Sequence, residues 1–383
     1  MSFSSVLNAR LQGDRVIWMI VLLLSVFSIL TVYSATGTIA YKMGASTTSY
    51  VFKHVVLIGL SWVVIYGCYQ VKYERFNQVA PWVLALSIPL LFTTLFFGTE
   101  INDARRWLTI PGVKLTFQTS DLAKLALVTY VARTITKHKD YIKDFKEAFV
   151  PIIVPILIVC LLIAPADLST ALMLFLTCLL LMFIGRVNLR YVGMLLLLGV
   201  VFFALLLAVG KSFPEFVRVD TWIERFNAFV NNVDGGGYQI RQSKIAIAEG
   251  GLLGHGPGNS VQRNFLPHPY SDFIFAIIIE EYGLIGGITI IGLYVLLFFR
   301  CVRIFGQGKK AFGALLAVGL SLMLVIQALA NVAVSVNMVP VTGLTLPLMS
   351  MGGTSLLFSS IAVGMILSVS QHMERVGAIE SED

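Results

Sequence analysis

Charge is scarce in this 383-residue chain: Asp, Glu, Lys and Arg make up 13% of it, hydrophobic residues 57%, and mean hydropathy is +0.84. So little polar surface excludes a water-soluble globular enzyme and implies a polytopic membrane protein. Cysteine is scarce as well. Cys68, Cys160, Cys178 and Cys301 stand within or beside apolar runs, without a disulfide framework or zinc spacing. The five histidines are scattered and form no HExxH pattern, which argues against a metal held by the protein alone. No GxxxxGKS/T stretch is present, so a nucleotide P-loop is excluded. The net charge of +7 needs no nucleic acid to explain it, because the basic residues gather in loops, where membrane proteins carry them.

What fills the chain instead is apolar runs of bilayer length, about ten of them, with cores near 16–34, 51–70, 81–98, 120–135, 149–165, 168–185, 191–209, 272–299, 312–336 and 346–370. The first follows Arg10 and Arg15 and has no Ala-x-Ala site after it, so it reads as a retained span and not as a cleaved signal peptide. The expected fold class is therefore all-α: a single integral membrane domain over 1–383. A large loop, 210–271, separates helices 7 and 8. Lys72 and Arg75, Lys137 to Lys146, Arg186 and Arg190, Arg300 to Lys310, and Arg375 fall on the same side as Arg10 and Arg15. By the positive-inside rule that side is the cytoplasm, which places both termini inside and the 210–271 loop outside.

This topology gathers the membrane-embedded charges at one depth. Asp121 and Lys124 open the fourth span, Asp167 sits in the turn between the fifth and sixth, and Asp272 opens the eighth. All are expected at the outer boundary, where ionisable groups are costly and mark a site. The bland alternative is mutual neutralisation, with Lys124 pairing Asp121, Asp167 or Asp272 to hold helices together. Asp272, after Leu266-Pro-His-Pro-Tyr-Ser, could likewise be a helix cap.

Other segments supply cationic and flexible groups. Asn102-Asp-Ala-Arg-Arg-Trp carries Arg106, whose guanidinium can fork onto phosphate oxygens. In the large loop, Val233-Asp-Gly-Gly-Gly and Ala248-Glu-Gly-Gly-Leu-Leu-Gly-His-Gly-Pro-Gly are interleaved with Lys244 and Arg263, a composition suited either to flexible connection or to backbone amides turned toward a phosphate. On a continuous helix from Asp272, Glu280 would lie about 80° away and roughly 12 Å deeper, too far for a two-carboxylate dyad. Glu280 and Glu281 are then expected to bond helices together, and Asp272 to act alone. The paired glycines after Leu346-Pro-Leu-Met-Ser suggest close helix packing.

Several segments, in order, resemble the SEDS (shape, elongation, division and sporulation) family: Arg106-Trp-Leu, Gln118 to Lys124, Asp167-Leu-Ser-Thr, Gly237-Tyr-Gln-x-x-Gln-Ser, Leu266-Pro through Asp272-Phe-Ile-Phe-Ala with Glu280-Glu-x-Gly-Leu, and Leu346-Pro-x-x-Ser-x-Gly-Gly. Gly256-Pro-Gly-Asn-Ser-Val-Gln looks more like the division branch than the elongation branch. The chain departs from the family at Thr119, Asp121, Ser169, His268, Ser271 and Met351, whereas Asp272, Lys124 and Asp167 match it.

The resemblance implies an inverting glycosyltransferase that polymerises lipid II, an undecaprenyl-diphosphate-linked disaccharide pentapeptide, outside the bacterial cytoplasmic membrane. It implies a class B penicillin-binding transpeptidase and other division proteins as partners. Asp272 would be catalytic. Lys124, Arg106, Asp167, Gln118, Gln242, Ser243, Lys244 and Arg263 would bind substrate. A divalent cation, Mg2+ or Mn2+, would accompany the substrate diphosphate, with no organic cofactor. Two readings from other classes compete: a flippase for the same lipid, and a division scaffold without chemistry.

Overall fold

A computed structural model describes residues 12–380 apart from 43–46, 102–103, 110–115, 142–143, 213–217, 232–233 and 308–310. Asn102 and Asp103, and the basic residues Arg10, Lys143, Lys309 and Lys310 used for orientation, lie outside the described residues.

Each expected apolar run falls on a helix: α1 (Arg15–Lys42), α2 (Thr47–Gln70), α3 (Tyr73–Phe97), α4 (Thr119–Lys137), α5 (Val150–Ile163), α6 (Leu168–Ile184), α7 (Leu189–Ser212), then α8 (Val219–Asn231) and α9 (Asp234–Gly250) within the large loop, and α10 (Ile274–Gln307), α11 (Ala311–Ser335) and α12 (Thr354–Glu380). Among the described residues seven are long and apolar enough to cross a bilayer: α1, α2, α3, α7, α10, α11 and α12. α5 and α6 are apolar but shorter. α4 carries Asp121, Lys124, Arg133 and Lys137 and is the least apolar of the expected spans.

α11 is the axis of the bundle. It is apolar nearly all round and buried without interruption from Phe312 to Val325, as a helix surrounded by other helices must be. At Gly319 a methyl group would meet Val128 at 2.9 Å and Leu181 at 3.0 Å, so glycine there lets α4 and α6 approach closely. The outer helices do the opposite. α2, α3 and α7 turn Phe52, Trp82, Phe97, Leu197 and Val200 outward, Phe97 at 81% exposure, which suits lipid and not water.

The all-α class holds with one small addition, and two expected helix starts are corrected. A small antiparallel sheet, order β1 (Thr99–Ile101), β2 (Ala104–Thr109), β3 (Thr116–Gln118), interrupts the all-α pattern between α3 and α4, with Trp107 opposite Gln118. The last span starts at Thr354 and not at 346, because Leu346–Gly353 is a loop with left-handed Leu348 (φ 61°) and Gly353 (φ 53°). And the eighth helix does not start at Asp272, which occupies a turn before Ile274, nor is it continuous: Gly283 breaks it with φ 68° and ψ −171°.

That break explains the glycine-rich stretch, which is an ordered clamp and not a flexible linker. The interrupted helix frees carbonyls and amides that must find partners in an apolar setting. His255 and Gly256 donate to Glu280 O (3.0 Å) and Glu281 O (2.9 Å), and Leu284 donates back to Gly251 O (2.9 Å). A methyl group at Gly283 would sit 2.2 Å from Leu252 O and 2.5 Å from Leu253 N. Gly283→Ala should therefore combine a left-handed backbone penalty with a main-chain clash and cost at least ~2 kcal/mol. A parent-like thermal midpoint for purified Gly283→Ala would refute the clamp. The other glycine run, from Asp234, is the first turn of α9.

Candidate active site

Asp272 is half-buried at one end of the bundle, held by its neighbours' main chain. Ser271 Oγ donates to Asp272 Oδ1 (2.8 Å), Asn331 Nδ2 donates to Asp272 O (2.8 Å), Ser350 Oγ to Ser271 O (2.7 Å), and the Met351 amide to Tyr270 O (3.0 Å). Beneath the turn, Leu266, Phe273, Ile277 and Val334 form a small apolar cluster with Val339 and Val341 against it. The 339–353 loop thus wraps the aspartate. At Gly343 (φ 73°) a methyl group would come within 3.7 Å of Asp272 Oδ2.

Asp167 and Arg106 meet. Arg106 Nη1 lies 3.0 Å from Asp167 Oδ2 and its Nε donates to Ala166 O (2.9 Å), while Asp167 Oδ1 caps α6 by accepting from the Thr170 amide (3.1 Å). Strand β2 delivers the arginine to the α5–α6 turn, over a narrow cleft bordered by Thr94, Thr119 and Ser120.

A second arginine joins them from α8, and the sequence reading passed it over. Arg225 Nη1 donates to Val341 O (3.0 Å), in the loop that wraps Asp272. Its guanidinium pKa is drawn down, first by burial and then by Arg106 and Arg218, and lifted in part by Asp167 and Asp272. The signal was legible: Ile223, Phe226 and Val230 form one exposed apolar stripe on α8, and Arg225 projects from the other face. Tyr270 borders the same place. Its phenol pKa is raised by burial, and further by Tyr50 and Asp272, so it stays protonated beside the carboxylate.

Lys124 is occupied differently. The residue is 5% exposed, and its ammonium lies 2.8 Å from Asp121 Oδ1 and 3.2 Å from Gln327 Oε1, so of the pairings open to it Asp121 is the one formed. Gln118 Nε2 donates to Ser120 Oγ (3.0 Å) at the start of α4, where Gln118 is the N-terminal flanking residue.

The remaining sequence candidates are spread along the fold. Gln242, Ser243 and Lys244 lie on α9, where Gln242 is half-buried, Lys244 exposed, and Ser243 Oγ donates to Ser335 O (2.8 Å). Arg263 Nη1 reaches Ser34 on α1, at O (3.0 Å) and Oγ (2.9 Å). Glu280 accepts from Ser260 Oγ (2.5 Å) and the amides of Val261 (2.7 Å) and Gln262 (3.0 Å), and Glu281 accepts from Ser34 Oγ and the Ser260 amide. Both glutamates are thus structural, binding α10 to α1 and to the clamp. Among the described residues no group of three or more His, Cys, Asp or Glu could hold a metal ion.

The cell cycle protein family of FtsW, RodA and SpoVE matches residues 14–375. The chain belongs to this FtsW/RodA/SpoVE family. Similar curated members include a probable peptidoglycan glycosyltransferase FtsW of Halomonas elongata, 33% identical over 92% of this chain and 89% of that protein. Another FtsW of the same description, from Alkalilimnicola ehrlichii, is 34% identical over 94% and 91%. Stage V sporulation protein E of Bacillus subtilis is 30% identical over 95% and 98%. Among solved structures, a chain of a peptidoglycan synthase complex that coordinates polymerization and crosslinking aligns with TM-score 0.71 at 25% identity, covering 94% of this chain and 98% of that one. The rod shape determining protein RodA of Thermus thermophilus shares the fold, with TM-score 0.67 at 24% identity over 94% and 98%.

Proposed function

We propose that this family member is a peptidoglycan glycosyltransferase of the FtsW type, polymerising lipid II at the outer face of the cytoplasmic membrane during division. The observation that carries the reading is the half-buried Asp272 in a turn bonded through Asn331 to the loop at Leu344, with Arg225 donating to Val341 O of that same loop. The acceptor sugar's 4-hydroxyl attacks the anomeric carbon of the donor muramyl unit. Asp272 takes the hydroxyl proton, the new C–O bond forms as the bond to the lipid diphosphate breaks, and undecaprenyl diphosphate leaves. One displacement inverts the anomeric centre, and no covalent intermediate is needed.

Arg106 and Arg225 are the best-placed partners for the diphosphate, because guanidiniums held with little water bind phosphate oxygens strongly. Mg2+ or Mn2+, where used, is taken to arrive with the diphosphate, whose charge it would neutralise. Arg225→Gln keeps a donor for Val341 O but removes the charge, so it should raise KM for lipid II ~tenfold with little change in kcat. An unchanged KM would remove Arg225 from the site.

The topology that goes with this reading has ten spans, both termini in the cytoplasm and α8–α9 outside. An impermeant maleimide should label Tyr238→Cys on intact spheroplasts and Arg303→Cys only after lysis, and the reverse pattern would invert the orientation. The partner would be a class B penicillin-binding transpeptidase, since a chain of a polymerising and crosslinking complex aligns over nearly its whole length. Purified protein given labelled lipid II in detergent, with no other polymerase present, tests the activity directly. Glycan strands support it, whereas lipid movement in vesicles without polymer would return the flippase reading.

A further inference from the structure

The three polar side chains along one stripe of α11 have no part in the proposed chemistry, yet one of them bonds the main chain of Asp272. Gln327, Asn331 and Ser335 are spaced four residues apart and so face one way. Gln327 accepts from Lys124 (3.2 Å) and donates through Nε2 to Thr345 O (2.9 Å). Asn331 spends both protons of one nitrogen on main-chain carbonyls, Asp272 O (2.8 Å) and Leu344 O (2.7 Å), while its Oδ1 is buried without a partner. The Ser335 carbonyl takes the proton of Ser243 on α9. Neighbouring carbonyls of the 339–353 loop are therefore pinned by two rungs about 6 Å apart on the most deeply packed helix of the fold.

We propose that Asn331, supported by Gln327, is a positioning residue: it fixes the main chain of Asp272 against the 344–345 segment so that the carboxylate meets the acceptor hydroxyl. The inference rests on Asp272 being the base. Its physical content is a separation of tasks. The arginines reach the diphosphate from β2 and α8; Asn331 bonds neither element, and Arg225 meets the loop at Val341, three residues before the rung at Leu344. Losing the rung displaces the base without displacing the bound substrate, and a shift of about 1 Å at a reacting group costs about a hundredfold in rate. A helper of binding would act on KM, and a mere packing residue would act on thermal stability alone.

The test uses full-length protein in detergent with labelled lipid II. Asn331→Asp keeps the side chain's volume but, ionised, has no proton for either carbonyl, and Asn331→Ala removes the group. Each should lower kcat about a hundredfold with KM within threefold. Gln327→Glu still accepts from Lys124 but cannot donate to Thr345 O. It should lower kcat about tenfold, and the double variant with Asn331→Asp should lose at most about threefold more than Asn331→Asp alone, since both act on one loop segment. Thr177→Val, which removes a buried hydroxyl bonded only within its own helix α6, should turn over like the parent.

Near-parental kcat in either Asn331 variant, a rise in KM in place of a fall in kcat, or full additivity with Gln327→Glu overturns the proposal. So does a loss that disappears when the assay is run further below the variant's melting temperature. Should Asn331→Ala not fold, Asn331→Asp and Gln327→Glu still decide. Asp272→Asn, assayed alongside, separates the two readings: if it polymerises, the base assignment has failed, and if it is inactive while the Asn331 variants work normally, only the positioning role has.

Discussion

Asp272→Asn should abolish polymerisation of lipid II while expression, thermal stability and lipid II binding stay near parental values. The substitution keeps size and polarity, and the bonds that seat the turn survive it: Asn331 donates to the residue 272 carbonyl, and Ser350 and Met351 bond residues 271 and 270. Only the Ser271 hydroxyl contact reaches the side chain. What disappears is the proton acceptor. General-base help contributes typically ~10²–10⁴-fold to such a step. Asp167 is committed to Arg106 and to the α6 amide, and Glu280 and Glu281 are enclosed in the clamp. Glycan strands made by purified Asp272→Asn at a rate within tenfold of the parent would sink the mechanism and restore the flippase or the scaffold.

Lys124→Ala should lower stability by about 3–5 kcal/mol, the usual consequence of removing one member of a buried ion pair. Both side chains of the Lys124–Asp121 pair are nearly inaccessible, and Asp121 Oδ2 already lacks a partner, so deleting the ammonium strands a carboxylate among apolar helices. The companion variant Asp121→Asn/Lys124→Met removes both charges and should recover more than half of the loss. Thermal unfolding in detergent measures each. A melting temperature for Lys124→Ala within about 2 °C of the parent, with kcat/KM reduced, would favour a direct phosphate contact over the structural pair.

Much of the architecture was legible because a membrane imposes a length rule that needs no third dimension. Every expected apolar run lies on a helix, and of the charges expected at one depth Asp121 pairs with Lys124 while Asp167 pairs with Arg106. The all-α class held, with a three-strand sheet added to it, but helix starts were misplaced at 272 and 346, because hydropathy does not register where an apolar segment turns before it becomes helical.

Composition along the chain determined that this protein is built of apolar helices, which segments bear its charges, and, through motifs in family order, the family to which it belongs. Tertiary structure alone decided which charge meets which. Lys124 had three candidate carboxylates and took the one a turn away on its own helix, while Arg106 crossed from a strand to Asp167. It also decided that the glycine-rich stretch serves a broken helix, since the left-handed turn at Gly283 leaves amides and carbonyls that only a close-lying backbone can satisfy. Gln327 and Asn331 read as ordinary polar residues in an apolar span. Their donors and acceptors are short-range and directional, so their partners exist only once α4, α10 and the 339–353 loop have packed around α11.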